Sequence, residues 1–328
     1  MPRQPSYTYL PEADWDVCIA RFDEIASSCA LCPRKCGVNR LKGERGFCGA
    51  PGELHISSAF PHHGEEPPLS GTGGSGTVFF SFCTLKCAFC QNFQISHEGM
   101  GESWSPERLA RKMLDLQRQG CHNINLVTAT HFLPWVARAL RMAAAQGLNI
   151  PIIYNCGGYE LPEVMRLLKD MVDVWLPDMK YGDNGPAWEY SRAKDYVSVN
   201  QAAIREMARM AGPLRADESG IAQRGLIIRH LVLPNDKAGS GEIVAFLKSA
   251  VDAHDIAVSV MAQYRPAYRG CEHPDIARGP TAEEFLRAAR MFKDAGFAGY
   301  FQEREALDGA FFIDFEKRKD EPLTGEKC

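Results

Sequence analysis

FSFCTLKCAFCQN, residues 80–92, sets Cys83, Cys87 and Cys90 in a C-x3-C-x2-C run. Thiolates at this spacing reach three corners of a [4Fe–4S] cube, where proteins ordinarily supply four. No fourth ligand lies nearby, which leaves one iron for a group other than protein. A structural zinc knuckle also uses closely spaced cysteines, but it ordinarily takes four tetrahedral ligands. The preceding TVFFSF (77–82) alternates into a short apolar strand, so the cysteines stand on the loop leaving a strand end.

Outward from that loop, strands alternate with amphipathic helices from Thr77 onward, the pattern of parallel βα units. Candidate strands lie at 77–82, 123–127, 151–155, 172–176, 225–233 and 257–263. Helical spacing falls at 132–146, 161–168, 201–210, 242–253 and 281–295, and Ser105-Pro106 opens a further helix as cap and first turn. Six units suit an α/β fold, an open partial (β/α)6 TIM-like barrel whose reactive groups gather at the C-terminal strand ends. We assign residues 77–301 to it. Residues 1–76 form an N-terminal lead, with a short helix near 14–25 and then a Cys-, Gly- and Pro-rich, metal-stapled segment. Residues 302–328 are a charged tail.

A chain of 328 residues with 45% hydrophobic content can bury a large core. Net charge of −4 argues against nucleic acid held by phosphate neutralisation. No apolar run approaches the roughly 18 residues of a membrane span, and the first residues lack an apolar signal core. The expectation is a soluble, cytoplasmic protein without a membrane partner. Twelve cysteines there favour metal or redox chemistry over a disulfide framework.

Four of them, Cys29-x2-Cys32-x3-Cys36-x11-Cys48, form a second set. Four thiolates complete either a tetrahedral Zn²⁺ site or a fully protein-ligated Fe–S cluster. Zinc would staple a segment too small to bury its own core; a cluster would relay electrons to the first one. Both remain open at this level.

The other polar groups cluster at predicted strand ends. SGTGGSGT (70–77) lacks the lysine of a phosphate loop and precedes a strand instead of a helix, so it reads as a turn. His62, His63, Glu65 and Glu66 just before it could line the site mouth, with a solvated loop that needs no role as the favoured reading. LVTATHF (126–132) is expected to point Thr128, Thr130 and His131 into the pocket, a satisfied buried histidine being the alternative for His131. Asn155 and Cys156 end the third strand. Asp178 and Lys180 share one side of an extended segment and offer charge-assisted bonds, against the alternative of a weak surface ion pair. Arg229 interrupts an apolar strand, and a buried charge is costly unless paired, so it is expected to meet a carboxylate. Gln263, Tyr264 and Arg265 follow the sixth strand toward the same mouth.

The cysteine run, with Phe89 before Cys90, strongly resembles the radical SAM superfamily. CTLKCAFCQN, VTATH, Asp178-Met-Lys180, IIRHLVLPND and Tyr264-Arg265, in order over about residues 77–270, look like the pyruvate formate-lyase activating enzymes, in a branch with an extra N-terminal four-cysteine segment. The resemblance implies a barrel of the radical SAM type and an open iron that chelates the amino and carboxylate groups of S-adenosylmethionine. It also implies reductive cleavage to a 5'-deoxyadenosyl radical, chemistry that belongs to the cofactor. Cys83, Cys87 and Cys90 carry over as cluster ligands. Asp178, Lys180 and Arg229 carry over as cofactor contacts, Arg229 on the cofactor carboxylate, and Thr128, Thr130, His131 and Asn155 stand where further contacts are expected. Activating enzymes take hydrogen from a glycine of a partner enzyme, which implies a protein or peptide substrate and a flavodoxin- or ferredoxin-type reductant.

Three departures stand out. The Gly-Gly-Glu stretch of many superfamily members is replaced by Thr-His-Phe, an Asp-Thr pair by Asn155-Cys156, and a Tyr-His by Tyr264-Arg265. These changes leave cofactor cleavage intact and bear on the glycyl partner. The alternatives are modification of a peptide or small molecule, and a non-catalytic Fe–S or zinc electron-transfer adaptor.

Overall fold

The computed structural model describes residues 4–302 together with 313 and 315. Ten strands are β1 (Leu54–His62), β2 (Ser75–Phe80), β3 (Glu102–Trp104), β4 (Ile124–Val127), β5 (Ile152–Cys156), β6 (Val174–Pro177), β7 (Arg215–Ala216), β8 (Ala222–Leu231), β9 (Ile256–Met261) and β10 (Gly299–Phe301). Nine lie in the order β10-β9-β8-β6-β5-β4-β2-β1-β3, and β7 pairs with β8. Pairing is parallel from β2 to β10 and antiparallel where β1 joins β2 and β3. The protein is therefore an α/β fold around a mostly parallel sheet. Strands β2, β5, β6 and β9 are buried along their whole length, as parallel strands covered on both faces should be.

Helices α1 (Glu12–Ser27), α2 (Pro67–Ser70), α3 (Phe93–Ser96), α4 (Pro106–Arg118), α5 (Leu133–Ala145), α6 (Pro162–Leu167), α7 (Asn184–Ser191), α8 (Tyr196–Ala211), α9 (Ser240–Ala250) and α10 (Ala282–Asp294) fill the connections. Their ends follow local chemistry. The Ser105 hydroxyl accepts from the Arg108 amide at the start of α4, and Thr281 and Glu284 form a capping box on α10. Leu109, Met113 and Leu116 of α4 give one buried stripe.

Two regions differ from expectation. Residues 54–62, read as part of the Cys-rich lead, form β1 and extend the sheet past β2; the Gly and Pro around them mask their strand character. After the sixth parallel strand comes a seventh, β10, only three residues long and half exposed, too short to show an alternation. The glycine run before β2 serves close approach: a Cβ on Gly73 would stand 2.0 Å from the Gly120 carbonyl oxygen. Most of the expected tail lies outside the described residues. Ile313 and Phe315 are buried beside Phe79 and Ile95. Among the described residues no helix is long and apolar enough to cross a membrane.

Candidate functional site

Beyond Phe80 the chain leaves β2 through Phe82 (φ 69°) and Lys86 (φ 51°), two left-handed residues that are not glycine. Such conformations persist where surroundings over-determine them, and here the loop is pinned. The Phe82 amide donates to Ile95 O (2.7 Å) and the Ala88 amide to Tyr190 O (2.7 Å). Phe89 sits edge-on to Tyr181, Tyr190 and Tyr264 at 5.4–6.4 Å between ring centroids. Arg34, from the N-terminal segment, donates to Thr84 O (3.0 Å) and Ser191 O (2.8 Å).

This architecture turns Cys83, Cys87 and Cys90 toward one cavity of about 710 Å³. Each sulfur accepts a hydrogen bond from a different donor. The Leu85 amide reaches Cys83 (3.4 Å), the Ser191 hydroxyl reaches Cys87 (3.0 Å) and the Ser96 hydroxyl reaches Cys90 (3.2 Å). The Tyr181 hydroxyl supports Ser191 in turn (2.7 Å). Burial, then the neighbouring Cys87, raises the Cys83 and Cys90 thiols, Cys90 to about 12. Thiolates here need a cationic centre. The donor set suits an Fe–S cluster, since hydrogen bonds to its sulfurs are a recurrent means of tuning it.

Thr128, Asn155, Asp178 and Lys180 line the same cavity. Thr128 adopts φ 60°, a genuine outlier for a β-branched residue. Lys180 Nζ donates to Asp178 Oδ2 at 2.5 Å. Burial would lower the Lys180 ammonium, but Asp178 and the cysteine sulfurs outweigh it and the net shift is upward. Two α8 residues hold these strand-end loops. The Tyr196 hydroxyl donates to Gly157 O (2.9 Å) and accepts from the Lys180 amide (3.0 Å). Asn200 Nδ2 donates to Gly158 O and Asp178 O (3.0 and 2.9 Å). A Cβ on Gly158 (φ +71°) would stand 2.1 Å from Asp178 O, so this junction admits only glycine.

Several expected contacts are placed elsewhere. Thr130 and His131 do not line the cavity, because β4 ends at Val127 and the chain enters a 3-10 turn at Thr130–Phe132. The Thr130 hydroxyl meets Glu160 Oε1 (2.8 Å) and the Tyr154 hydroxyl (2.9 Å). His131 Nε2 meets Ser81 O (2.8 Å), and burial depresses its pKa to about 3. Arg229 does meet carboxylates, but they are Glu65 and Glu66 of this chain. The loop read as solvated is thus part of the cavity wall.

In the N-terminal set, Cys29, Cys32 and Cys48 are buried and Cys36 is half-buried. Burial above all raises the Cys29 and Cys32 thiols; Cys48 and Cys36 add to the shift of Cys29, and Glu160, then Cys48 and Cys29, add to that of Cys32. Cys48 accepts from the buried Arg40 (3.4 Å), and Cys36 from the Phe47 amide (3.3 Å). Among the described residues no three His, Cys, Asp or Glu side chains close around a single metal-ion position. For the cavity set that is compatible with a cube, whose irons each take a different sulfur; for the N-terminal set it leaves a gathered but unclosed group.

A model of the radical SAM superfamily matches residues 77–185. An uncharacterized protein, MJ0674 of Methanocaldococcus jannaschii, is 34% identical over 275 residues, spanning 81% of this chain and 75% of its own length. The crystal structure of a radical SAM methyltransferase from Sphaerobacter thermophilus superposes with TM-score 0.50 at 14% identity, over 72% of this chain and 68% of that one. Methylornithine synthase gives TM-score 0.43 at 12% identity, over 71% and 73%. With three thiols on the loop after the first parallel strand and strand-end polar groups around one cavity, residues 77–185 form a radical SAM superfamily domain, and the chain belongs to the same family as the archaeal protein.

Proposed function

We propose that the protein cleaves S-adenosylmethionine reductively at a [4Fe–4S] cluster held by Cys83, Cys87 and Cys90, and takes hydrogen from a substrate carbon. One observation carries this reading: three sulfurs on one cavity wall, each holding a hydrogen bond from the second layer. A cluster bound there supplies the electron that breaks the sulfonium, giving methionine and the 5'-deoxyadenosyl radical. A flavodoxin- or ferredoxin-type protein is the proposed reductant.

The chain's own contribution is position and dryness. Lys180 keeps its charge and offers an ammonium to a carboxylate, while Asp178 offers an acceptor to an amine or hydroxyl. Thr128 and Asn155 add a hydroxyl and an amide beside them. Phe79, Phe80, Phe82, Leu85 and Ile95 give the cavity apolar walls, which exclude water from a radical that must meet only its target. The open sheet reads as a partial barrel with this mouth at its strand ends. Abstraction from a partner enzyme's glycine is the narrower form of the proposal and rests on motif order; peptide or small-molecule modification is the competing form. The N-terminal thiols are proposed to hold zinc or a second cluster, on the strength of their mutual proximity.

Anaerobically reconstituted protein given dithionite and S-adenosylmethionine is expected to form 5'-deoxyadenosine, and Cys83→Ala none above background. Equal product from both proteins sinks the reading and leaves the electron-transfer adaptor.

A further inference from the structure

Ser191 ends α7 and is fully buried. A helical serine ordinarily turns its hydroxyl to solvent or back to the carbonyl four residues earlier. Here that carbonyl, Ala187 O, accepts from the Arg192 and Ala193 amides past the helix end. Ser191 Oγ donates instead to Cys87 Sγ (3.0 Å), 104 positions away in sequence. The Tyr181 hydroxyl, also buried, lies 2.7 Å from Ser191 Oγ. A serine has one proton to give. With that proton on the Cys87 sulfur, Tyr181 is the donor of its pair, and the three groups form one file: Tyr181 O–H to Ser191 O–H to Cys87 S.

The other two sulfurs have weaker donors. Cys83 accepts from a backbone amide at 3.4 Å and Cys90 from Ser96 at 3.2 Å, and both cysteines are half-buried where Cys87 is buried. A hydrogen bond gains strength where water is excluded, and successive donors polarise one another. The file on Cys87 is thus the shortest and driest contact of the three, and a second hydroxyl backs it. The end of α7 is also held in place. Tyr190 O accepts from the Ala88 amide (2.7 Å), and Arg34 donates to Ser191 O (2.8 Å) and to Arg192 O. Those carbonyls carry the negative end of the helix dipole. The guanidinium offsets it, so what α7 presents to Cys87 is a donor.

We propose that Ser191, with Tyr181 behind it, sets the reduction potential of the cluster by holding a hydrogen bond on the Cys87 sulfur, whose negative charge grows when an electron enters. Donors to an anionic acceptor strengthen as its charge rises, and hydrogen bonds to cluster sulfurs are a lever on potential. The inference rests on the radical reading for the presence of the cluster, and goes beyond it in naming the residues that govern reduction. The electron comes from the flavodoxin- or ferredoxin-type reductant; no proton leaves either hydroxyl, and no bond to sulfur forms or breaks. Neither residue lines the cavity, so both are positioning residues acting through Cys87.

The test is an anaerobic redox titration of the reconstituted full chain, followed on the electron paramagnetic resonance signal that Cys90→Ala lacks, which sets aside any cluster on the N-terminal thiols. Ser191→Ala is expected to be about tenfold harder to reduce, a potential about 59 mV lower for one electron. Tyr181→Phe keeps Ser191 and should shift the same way by about threefold. Because Tyr181 acts through Ser191, the double variant should match Ser191→Ala. A Ser191→Ala potential within twofold of wild type overturns the proposal, and so does a double variant in which the two shifts add in full, since Tyr181 would then be a separate donor. If Ser191→Ala takes up no cluster, Tyr181→Phe decides alone, and an unchanged potential there overturns it. The expected shifts in protein that forms no 5'-deoxyadenosine support this proposal while sinking the radical reading. Normal 5'-deoxyadenosine with unshifted potentials does the reverse, and a wild-type protein without the signal sinks both.

Discussion

Cys83, Cys87 and Cys90 stand on a cavity wall, whereas Cys29, Cys32 and Cys48 are packed beneath side chains of the same protein. Around the first set the donors are hydroxyls and an amide, and the space ahead of the sulfurs is open. Around the second, Arg40 is fully buried and spends its guanidinium on Cys48, Pro51 O (2.6 Å) and His131 O (3.2 Å). Three thiols facing a cavity leave room for a reactant; Cys29, Cys32 and Cys48, buried among the protein's own side chains with Cys36 half-buried beside them, leave less. If the first set is the reactive centre and the second a structural one, as proposed, ligand number and what lies ahead of the sulfur separate them more than cysteine spacing does.

The largest expected effect tests that division directly. Cys90→Ala should release cluster iron and lower 5'-deoxyadenosine formation by about 100-fold or more, at or beyond the upper end of what second-layer changes cost. Cys36→Ala should lower thermal stability and total bound metal, with cleavage retained within about tenfold, as expected if that site supplies folding energy. Iron and zinc counts on both variants, beside melting curves, decide it. If Cys36→Ala abolishes cleavage while melting like wild type, the second set is an electron relay and the contrast collapses.

Arg34 joins the two regions and gives a smaller effect. It reaches the cluster loop at Thr84 O and the α7 end at Ser191 O and Arg192 O, and its guanidinium lies 3.9 Å from the Phe47 ring centroid. Arg34→Ala leaves partly buried carbonyls without a donor, a cost of about 1–3 kcal/mol. Chemical denaturation should show it, and Arg34→Lys should recover only part, because one ammonium cannot copy the fork. A variant as stable as wild type would mean that water replaces Arg34 and the regions are mechanically separate.

The cysteine loop was legible because its ligands lie within eight residues and need no tertiary knowledge. Thr128, Asn155, Asp178 and Lys180 were legible because a parallel sheet places strand ends together, whatever the sequence between them. Glu65 and Glu66 were not: Glu66 finds Arg229 across 163 residues, and nothing local separates a carboxylate bound for a cavity floor from one bound for solvent. Tyr196 and Asn200 were hidden differently, since inward-facing residues on a helix read as packing. Thr130 and His131 fall outside the cavity because strand alternation stops at Val127, where the left-handed Thr128 turns the chain, and His131 takes its alternative reading of a buried histidine.

His131 supplies the smallest and most specific test, because it rivets the two regions together. Its carbonyl accepts from Arg40 beside the N-terminal thiols, and its ring donates from Nε2 to Ser81 O just ahead of Cys83. Burial lowers its pKa from 6.5 to about 3. The unfolded chain therefore takes a proton below about pH 6.5 that the folded chain refuses. The resulting stability is fully present above that pH and is lost as pH falls toward 3, with a slope of at most about 1.4 kcal/mol per pH unit. Between pH 7 and 5.5 the loss attributable to this group is about 1 kcal/mol. His131→Gln can keep a donor for Ser81 O without titrating, so its denaturant midpoint should fall less over that interval than the wild-type midpoint does. Metal loss in acid affects both proteins and cancels in the difference. Parallel curves would show that the ring is reached by water in the folded state, and that the joint between the two cysteine regions is looser than its hydrogen bonds imply.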